Sequence, residues 1–310
     1  MTLTELRYIT AVARLNHFGR AAQDCFVSQP TLSVAVRKLE EELGVTLFER
    51  NRSSVTVTPI GAKIVEQSRR VLEEAERIKT LAATDQDQLA APLKLGVIYT
   101  VGAYLIPHLL PGLKAAAPRM QLRLTENFTD RLTQQLKNGD IDAAIVSLPF
   151  AESGIVTRSL YGEPFVVALP RGHDLAGKQQ LTSTDLNDET ILLLGARNCF
   201  RDQVMEFCPA CAAGTGGDGT EIQQTLEGSS IETIRQMTAA GAGITLLPVT
   251  SAQPDSSLSE LLEIRPFVEP APARVIVLAY RRSFPRPEAI AVLADAVRNT
   301  PPPGVRVTDF

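Results

Sequence analysis

Short amphipathic stretches, separated by residues that start and stop helices, fill the first part of the chain. Thr4 is placed to cap a helix over residues 5–15, and a glycine precedes a second helix over residues 20–25. Ser28, followed by an early proline and a closing glycine, marks a third helix that ends near Leu43. These residue types are the expected boundary signals of helices. The pattern therefore predicts three short helices.

The hydrophobic spacing changes after the third helix. Leu47 and Phe48 lead into a polar run over residues 49–54, and Val55–Thr58 then alternates apolar and polar positions. Such a pattern is typical of two short strands around a polar turn, which here would be a wing. Residues 1–58 are therefore predicted to form a winged helix-turn-helix, which is a DNA-binding module.

A long helical period extends from Pro59 to about Ala83. Apolar and small residues recur on one face, while Glu and Arg fill the rest. These residues are Ile60, Ile64, Val71, Ala75, Ile78 and Ala82. The spacing favours a coiled-coil or partner-helix seam, and the alternative is a helix packed on its own domain. We predict a linker and dimerisation helix, with a polar hinge, over residues 59–90.

From Leu93 onward, apolar strands alternate with helix-like stretches. The predicted strands are Leu93–Ile98, Gln121–Thr125, Ala143–Val146, Phe165–Leu169, Ile191–Leu194, Ile244–Leu247 and Val275–Tyr280. This alternation is typical of a mostly parallel α/β fold. Residues 91–310 are predicted to form two α/β subdomains, the first from 91–162 and 267–310 and the second from 163–266.

Composition adds bounds on function. The net charge of −4 excludes a protein coated in positive charge, although a local basic patch remains compatible with DNA binding. Met1–Glu5 lacks the regions of a secretory signal, and no run has the length of a membrane span, so we expect a cytoplasmic protein. Four cysteines are too few for a disulfide scaffold. Any disulfide in a reducing compartment would be transient and regulatory.

The run Ala21–Arg50 resembles, in order and without gaps, the N-terminal signature of LysR-type transcription regulators. Its small core is expected to contain Ala21, Ala22, Val27, Leu32, Val36 and Leu39. A recognition helix presents its N-terminal residues to base edges, and basic residues contact phosphates. The predicted DNA-binding residues are Ser28, Gln29, Pro30, Thr31, Ser33, Arg37, Arg50 and Arg52. The alternatives are plain helix capping for Ser28 and solvated turn positions for Arg50 and Arg52.

A second resemblance narrows the function. Asn198–Cys208 is similar to the redox segment of peroxide-sensing LysR-type regulators, in which the first cysteine is oxidised and the second resolves it. The similarity extends to Leu226–Arg235 and Ala239–Pro248, and it departs at position 198, where many relatives carry histidine. It implies a periplasmic-binding-protein-like regulatory domain switched by hydrogen peroxide. Peroxide would oxidise Cys199, which would then form a disulfide with Cys208.

The spacing of these two cysteines agrees with a switch. Nine helical residues separate Cα atoms by about 13 Å and place the side chains on opposite faces, whereas a disulfide needs about 7 Å or less. Bond formation must therefore unwind part of the segment between Cys199 and Cys208. A thiol pair that can bond only after local unfolding is a bistable element.

A reactive cysteine also needs access to oxidant and basic neighbours. Arg201 and Arg274 are candidates for this role. The family resemblance adds the hydroxyls of Thr100 and Thr129, at the carboxyl ends of two strands, as groups that orient peroxide, with Asp202 in the same set. The alternatives are strand-end helix caps for the threonines and an interdomain ion pair for Arg274.

The remaining cysteines invite other interpretations. Cys25 lies among core residues of the helix-turn-helix, so a buried, inert thiol is favoured. Cys208 and Cys211 have the C-x-x-C spacing of zinc or thioredoxin-like sites, but one such pair supplies half a structural zinc site and the three histidines are scattered. Cys211 can alternatively act as a second resolving thiol. We expect neither a metal nor a cofactor.

The partners implied by the resemblance are double-stranded DNA, hydrogen peroxide, RNA polymerase and a cellular thiol reductant. Homodimers that pair into homotetramers are implied as well, and no membrane association is expected. A regulator that responds to a small organic ligand, with incidental cysteines, is one alternative. A thiol peroxidase with an attached DNA-binding domain is another, although the chain is not expected to be an enzyme.

Overall fold

The computed structural model describes residues 1–50, 55–82, 88–208, 230–252 and 260–307. The chain divides into two compact units, one of residues 1–86 with 283–285 and one of residues 87–282 with 286–310.

The first unit is a winged helix-turn-helix followed by a long helix, as predicted. Its elements are α1 (Leu3–Leu15), α2 (Phe18–Asp24), α3 (Gln29–Leu43), β1 (Phe48–Arg50), β2 (Val55–Val57) and α4 (Pro59–Ala82). The strands of the wing pair antiparallel, with Phe48 opposite Val57.

Local capping chemistry sets the helix boundaries. The Thr2 hydroxyl accepts the Glu5 N–H at 3.2 Å, while the Glu5 carboxylate accepts the Thr2 N–H at 2.8 Å. This reciprocal capping box starts α1 two residues earlier than expected, so the prediction of Thr4 as the cap was wrong. At α3 the prediction is confirmed, because Ser28 caps the helix and Gly44 ends it with φ +68°.

The core of this unit follows the apolar stripe of α3. Leu32, Val36 and Leu39 are fully buried, together with the small residues Ala21 and Ala22 of α2. This confirms five of the six expected core positions, since Val27 packs against the cluster but is only partly buried.

Helix α4 presents two kinds of apolar residue. Ile64 and Leu72 pack against the helix-turn-helix core. Ile60, Val71 and Ile78 are exposed in the single chain. One face therefore stabilises the unit itself, and apolar side chains of α4 also remain accessible to a partner.

The second unit contains the remaining elements. They are β3 (Leu93–Ile98), α5 (Tyr99–Ala116), β4 (Leu122–Asn127), α6 (Thr129–Asn138), β5 (Ala143–Ser147), β6 (Ile155–Pro170), α7 (Cys199–Phe207), α8 (Ile231–Ala239), β7 (Thr245–Pro248), β8 (Leu262–Pro266), β9 (Ala273–Arg281) and α9 (Pro287–Asn299). Among these and the other described helices, none is long and apolar enough to cross a membrane.

Strand β6 connects the two subdomains of this α/β domain. Its first part, 155–164, pairs with β9, and β9 continues through β5 and β3 to β4. Its second part pairs with β7 and β8. One strand thus belongs to both sheets, and the chain changes sheets between Pro164 and Phe165.

The expectation of a mostly parallel sheet was wrong. Among the described strands, β3 pairs parallel with β4 and β5, while β9 and β6 make antiparallel pairs with all their neighbours. The cause is the late strand β9, which inserts between β5 and β6 from far along the chain. The predicted strand at residues 191–194 was also wrong, since Ile191 forms an isolated bridge with Ile244.

Phe26 occupies a strained position in the turn between α2 and α3. Its φ of +56° lies in the left-handed region, and its side chain is 96% exposed, so the ring contributes little packing. Left-handed backbone costs a residue with a Cβ roughly 1–2 kcal/mol, and asparagine tolerates it best after glycine. We therefore expect Phe26→Asn to raise the free energy of unfolding of this unit by about 1 kcal/mol.

Native-state hydrogen exchange of the α3 amides in the full-length protein measures this change. Phe26→Ala is the matched control, because it removes the ring but retains the Cβ that causes the strain. Equal protection in the Asn and Ala variants would contradict the strain argument.

Candidate redox site and DNA-binding face

The N-terminal end of α3 carries the residues predicted to bind DNA. Gln29, Pro30 and Thr31 are exposed and Ser33 is half-buried. The Ser28 hydroxyl lies 3.3 Å from the Thr31 amide nitrogen and 2.7 Å from the Thr31 hydroxyl, so its helix-capping role is present.

Basic candidates occupy α3 and the wing. Arg37 is exposed on α3. Arg50 ends β1, and Arg52 lies outside the residues that the structure describes. The base-contacting and phosphate-contacting roles of this set stay predictions.

Helix α7 places the two predicted redox cysteines at opposite ends. Cys199 is its first residue and is a half-buried free thiol. Asn198 is the N-cap, but its side chain makes no capping hydrogen bond. Cys208 is the buried C-cap, and its N–H donates to the Val204 carbonyl at 2.9 Å.

The two cysteines are not joined to each other. Cys199 is a free thiol, as is Cys25 in the helix-turn-helix. With α7 intact, the Cα atoms of Cys199 and Cys208 are separated by about 13 Å of helix. A bond between them requires this helix to change.

Aromatic contacts hold α7 in the core of the second subdomain. The Phe200 ring packs edge-on against Phe165, with centroids 5.0 Å apart, and Phe207 packs in the same way on Phe267 at 5.0 Å. Val204 is buried in the same core cluster. Each end of the helix is therefore fixed by an aromatic pair.

Polar contacts tie α7 to its surroundings. The Gln203 amide donates to the Ser147 hydroxyl at 2.9 Å and to the Leu148 carbonyl at 2.8 Å, which links α7 to the end of β5. Arg201 donates to the Leu194 carbonyl at 2.9 Å. Asp202 is exposed in the first turn of the helix, where a carboxylate favours helix formation.

A fully buried ion pair lies beneath α7. Arg274 and Glu163 are directly opposite each other on β9 and β6, and Arg274 Nε lies 2.7 Å from a Glu163 carboxylate oxygen. The Thr250 hydroxyl donates to the other oxygen of that carboxylate. The Arg274 guanidinium lies 5.2 Å from the centroid of the Phe200 ring.

The same guanidinium reaches Thr100. Arg274 donates to the Thr100 hydroxyl at 2.8 Å and to the Thr100 carbonyl at 3.0 Å. Arg274 thus forms an ion pair, as in its alternative interpretation, but within one sheet and not between two domains. A direct contact of Arg274 with peroxide stays a prediction. Thr100 itself is buried in the first turn of α5.

The segments that begin α5, α6 and α7 contact one another. Phe128, which precedes Thr129 at the start of α6, packs edge-on against Tyr99 of α5 at 5.1 Å. Arg197, two residues before Cys199, lies 4.7 Å over the Phe128 ring. The arrangement brings the segments that carry Thr100, Thr129 and Cys199 together.

Sequence reasoning missed Arg197, Phe128 and Gln203 as parts of this site. Arg197 also lies 3.4 Å from the Asp130 carboxylate in α6. The one available signal was the position of Arg197 beside the cysteine segment, because its partner Asp130 is 67 residues away along the chain.

Two further features bear on reactivity. Burial raises the pKa of the Cys25 thiol, and the nearby Asp24 carboxylate adds to this effect, so little reactive thiolate forms there.

A cleft of about 690 Å³ borders α7 and is lined by Gln203, Phe207 and Arg274, among others. Within the described ranges, no group of three or more His, Cys, Asp or Glu side chains is arranged to hold a metal.

The chain matches known families over most of its length. The bacterial regulatory helix-turn-helix model of the lysR family matches residues 3–62, and the LysR substrate binding domain model matches residues 86–301.

Curated relatives of similar length were found. The chain is 40% identical, over 96% of its length and 95% of the relative, to a hydrogen peroxide-inducible genes activator of Dickeya chrysanthemi. It is 39% identical, with the same coverage, to the DNA-binding transcriptional dual regulator OxyR of Escherichia coli strain K12.

Solved structures agree over the full chain. A Cys-to-Asp variant of full-length OxyR from Pseudomonas aeruginosa matches with a TM-score of 0.80 and 49% identity, covering 97% of this chain and 96% of that one. A mutant of Corynebacterium glutamicum OxyR, bound to hydrogen peroxide, matches with a TM-score of 0.62 and 32% identity, covering 96% and 92%. The chain therefore belongs to the LysR family of bacterial DNA-binding transcription regulators.

Proposed function

We propose that this regulator senses hydrogen peroxide through Cys199 and is switched by a disulfide between Cys199 and Cys208. One observation carries the proposal: a half-buried free thiol begins α7, and the second cysteine ends the same helix. The names of the relatives, which include peroxide-inducible activators and a peroxide-bound OxyR, support the choice of oxidant.

The chemistry takes two steps. The Cys199 thiolate attacks one peroxide oxygen, the O–O bond breaks, and hydroxide leaves to give a sulfenic acid. The Cys208 thiol then loses its proton and attacks the Cys199 sulfur, the S–O bond breaks, and the hydroxyl leaves with a proton as water to give the disulfide. A cellular thiol reductant is proposed to reduce the Cys199–Cys208 disulfide and so return the regulator to its starting state.

Thr100 is suited to orient the peroxide. Arg274 donates to its hydroxyl oxygen and so occupies one lone pair. The hydroxyl hydrogen remains able to donate to a peroxide oxygen, because a threonine hydroxyl is both donor and acceptor. Thr129, half-buried at the adjacent helix terminus, is proposed to do the same, with Arg201 and Asp202 completing the site.

Disulfide formation requires loss of α7. The contacts of Phe200 with Phe165 and of Phe207 with Phe267 would be given up, and exposing a buried aromatic side chain costs about 1.5–3 kcal/mol. The covalent bond offsets this cost only while the oxidised state lasts. The cleft beside α7 gives the displaced side chains room to move.

We propose that a dimer transmits this change to DNA. Ile60, Val71 and Ile78 of α4 are exposed and supply the apolar seam between two subunits. Repacking of the regulatory domain would reorient one subunit against the other and alter the spacing of the DNA-binding domains. Pairing of dimers into tetramers and contact with RNA polymerase belong to the same proposal.

For the proposed function, the first prediction concerns the cysteines. After a stoichiometric peroxide pulse, thiol-trapping mass spectrometry should find a Cys199–Cys208 disulfide together with a shifted DNA footprint. Cys199→Ser should abolish the footprint shift, and Cys208→Ser should accumulate sulfenic acid or its overoxidised products.

Cys25→Ser is the matched control and should respond normally, since burial keeps that thiol protonated. Cys211→Ser tests the alternative that Cys211, and not Cys208, resolves the sulfenic acid. A footprint that shifts with peroxide in the absence of a Cys199–Cys208 linkage would defeat the mechanism. A shift driven by an organic ligand, or steady peroxide turnover with a reductase, would favour the two alternative functions.

The second prediction concerns the DNA contacts. Gln29→Ala should relax sequence preference by about 1–3 kcal/mol at one base position, as expected for loss of a base contact. Arg52→Ala should weaken binding to all sequences and flatten the salt dependence, as expected for loss of a phosphate contact. Fluorescence anisotropy on specific and unrelated duplexes, at several salt concentrations, measures both. Unchanged affinity and salt slope in both variants would remove this assignment.

The third prediction concerns the buried ion pair. Arg274→Met leaves the Glu163 carboxylate buried without its partner, which should destabilise the regulatory domain by about 3–5 kcal/mol. Adding Glu163→Gln should recover part of this loss, because the amide carries no charge and can still accept from Thr250. Hydrogen exchange of β6 and β9 amides measures the stability of both variants. If the stability changes caused by the two substitutions simply add, the two residues are not coupled.

A further inference from the structure

The exposed side of the recognition helix carries an apolar residue that the DNA-binding set does not include. Val34 is 68% exposed, while Leu32 and Val36 on either side of it are fully buried in the domain core. At 100° per residue, Val34 lies about 200° around the helix from Leu32. Its side chain therefore points directly away from the core.

This direction is the one that enters the DNA. A recognition helix packs one stripe on its own domain and places the opposite stripe in the major groove. The residues one turn away from Val34 on either side, Thr31 and Lys38, are also exposed. Val34 thus lies within the surface that a bound duplex would cover.

Valine is not placed there by the needs of the helix. A β-branched residue has a lower helix propensity than alanine, and Val34 gains no burial in the free protein. Single exposed apolar residues are common on protein surfaces, so the position of Val34, rather than its exposure, carries the argument.

The major groove offers a matching group. Thymine alone among the bases presents an apolar substituent there, the C5-methyl group, and side-chain methyl groups read it by contact. We propose that Val34 is a specificity-determining residue that selects thymine by packing its methyl groups against the thymine C5-methyl group.

The test uses full-length protein and DNA that differs by single methyl groups. Duplexes are first selected from a random-sequence library by the wild-type protein, and each thymine of the selected site is then replaced by deoxyuridine. Uracil keeps every hydrogen-bonding group of thymine and lacks the methyl group. We expect wild type to lose about fourfold in affinity at one thymine of each half-site, which corresponds to ~0.8 kcal/mol for one methyl-sized group.

Two variants locate the contact. Val34→Ala should bind the thymine and uracil duplexes equally well at that position, and a selection with this variant should no longer recover thymine there. Val34→Thr keeps one methyl group in nearly the same shape and should retain part of the sensitivity. Alanine favours the helix, and helicity measured by circular dichroism checks that α3 stays folded.

Two results would overturn the proposal. One is a wild-type protein insensitive to uracil at every thymine of its selected site. The other is a Val34→Ala variant that keeps the full wild-type sensitivity, which would assign the methyl contact to a different side chain.

Discussion

The buried pair of Glu163 and Arg274 is the interaction on which the regulatory domain depends. A single charge in this position would cost several kcal/mol, so each residue is tolerated only because the other is in place. The pair joins β6 to β9 next to the point where β6 passes from one sheet to the other. It therefore fixes the junction of the two subdomains.

The same arginine links this junction to the redox segment. Its remaining nitrogens hold Thr100 at the start of α5, and its face lies under Phe200, the neighbour of Cys199. Arg274 thus contacts both the junction and the residue that follows Cys199. In the proposed switch, this shared contact would let a change at the thiol bias the packing at the junction, and the reverse.

In the proposed switch, α7 is the element with two arrangements, because its packing and the proposed disulfide are incompatible. The aromatic pairs at its two ends form when the helix is intact, whereas a bond between Cys199 and Cys208 requires the helix to be lost. No intermediate arrangement keeps both the helical packing and the disulfide, so the proposed response has two discrete states.

The sequence by itself determined the features that depend on neighbours along the chain. Ser28 and Gly44 bounded the recognition helix, apolar spacing identified its core stripe, and the eight residues between Cys199 and Cys208 set the cysteine separation, because capping and helical periodicity act over a few residues. The tertiary structure decided the antiparallel insertion of β9 and the stacking of Arg197 on Phe128. It also decided that Arg274 pairs with Glu163, 111 residues away along the chain. Those contacts follow from sheet order and register, which bring distant residues together without leaving a local pattern to read.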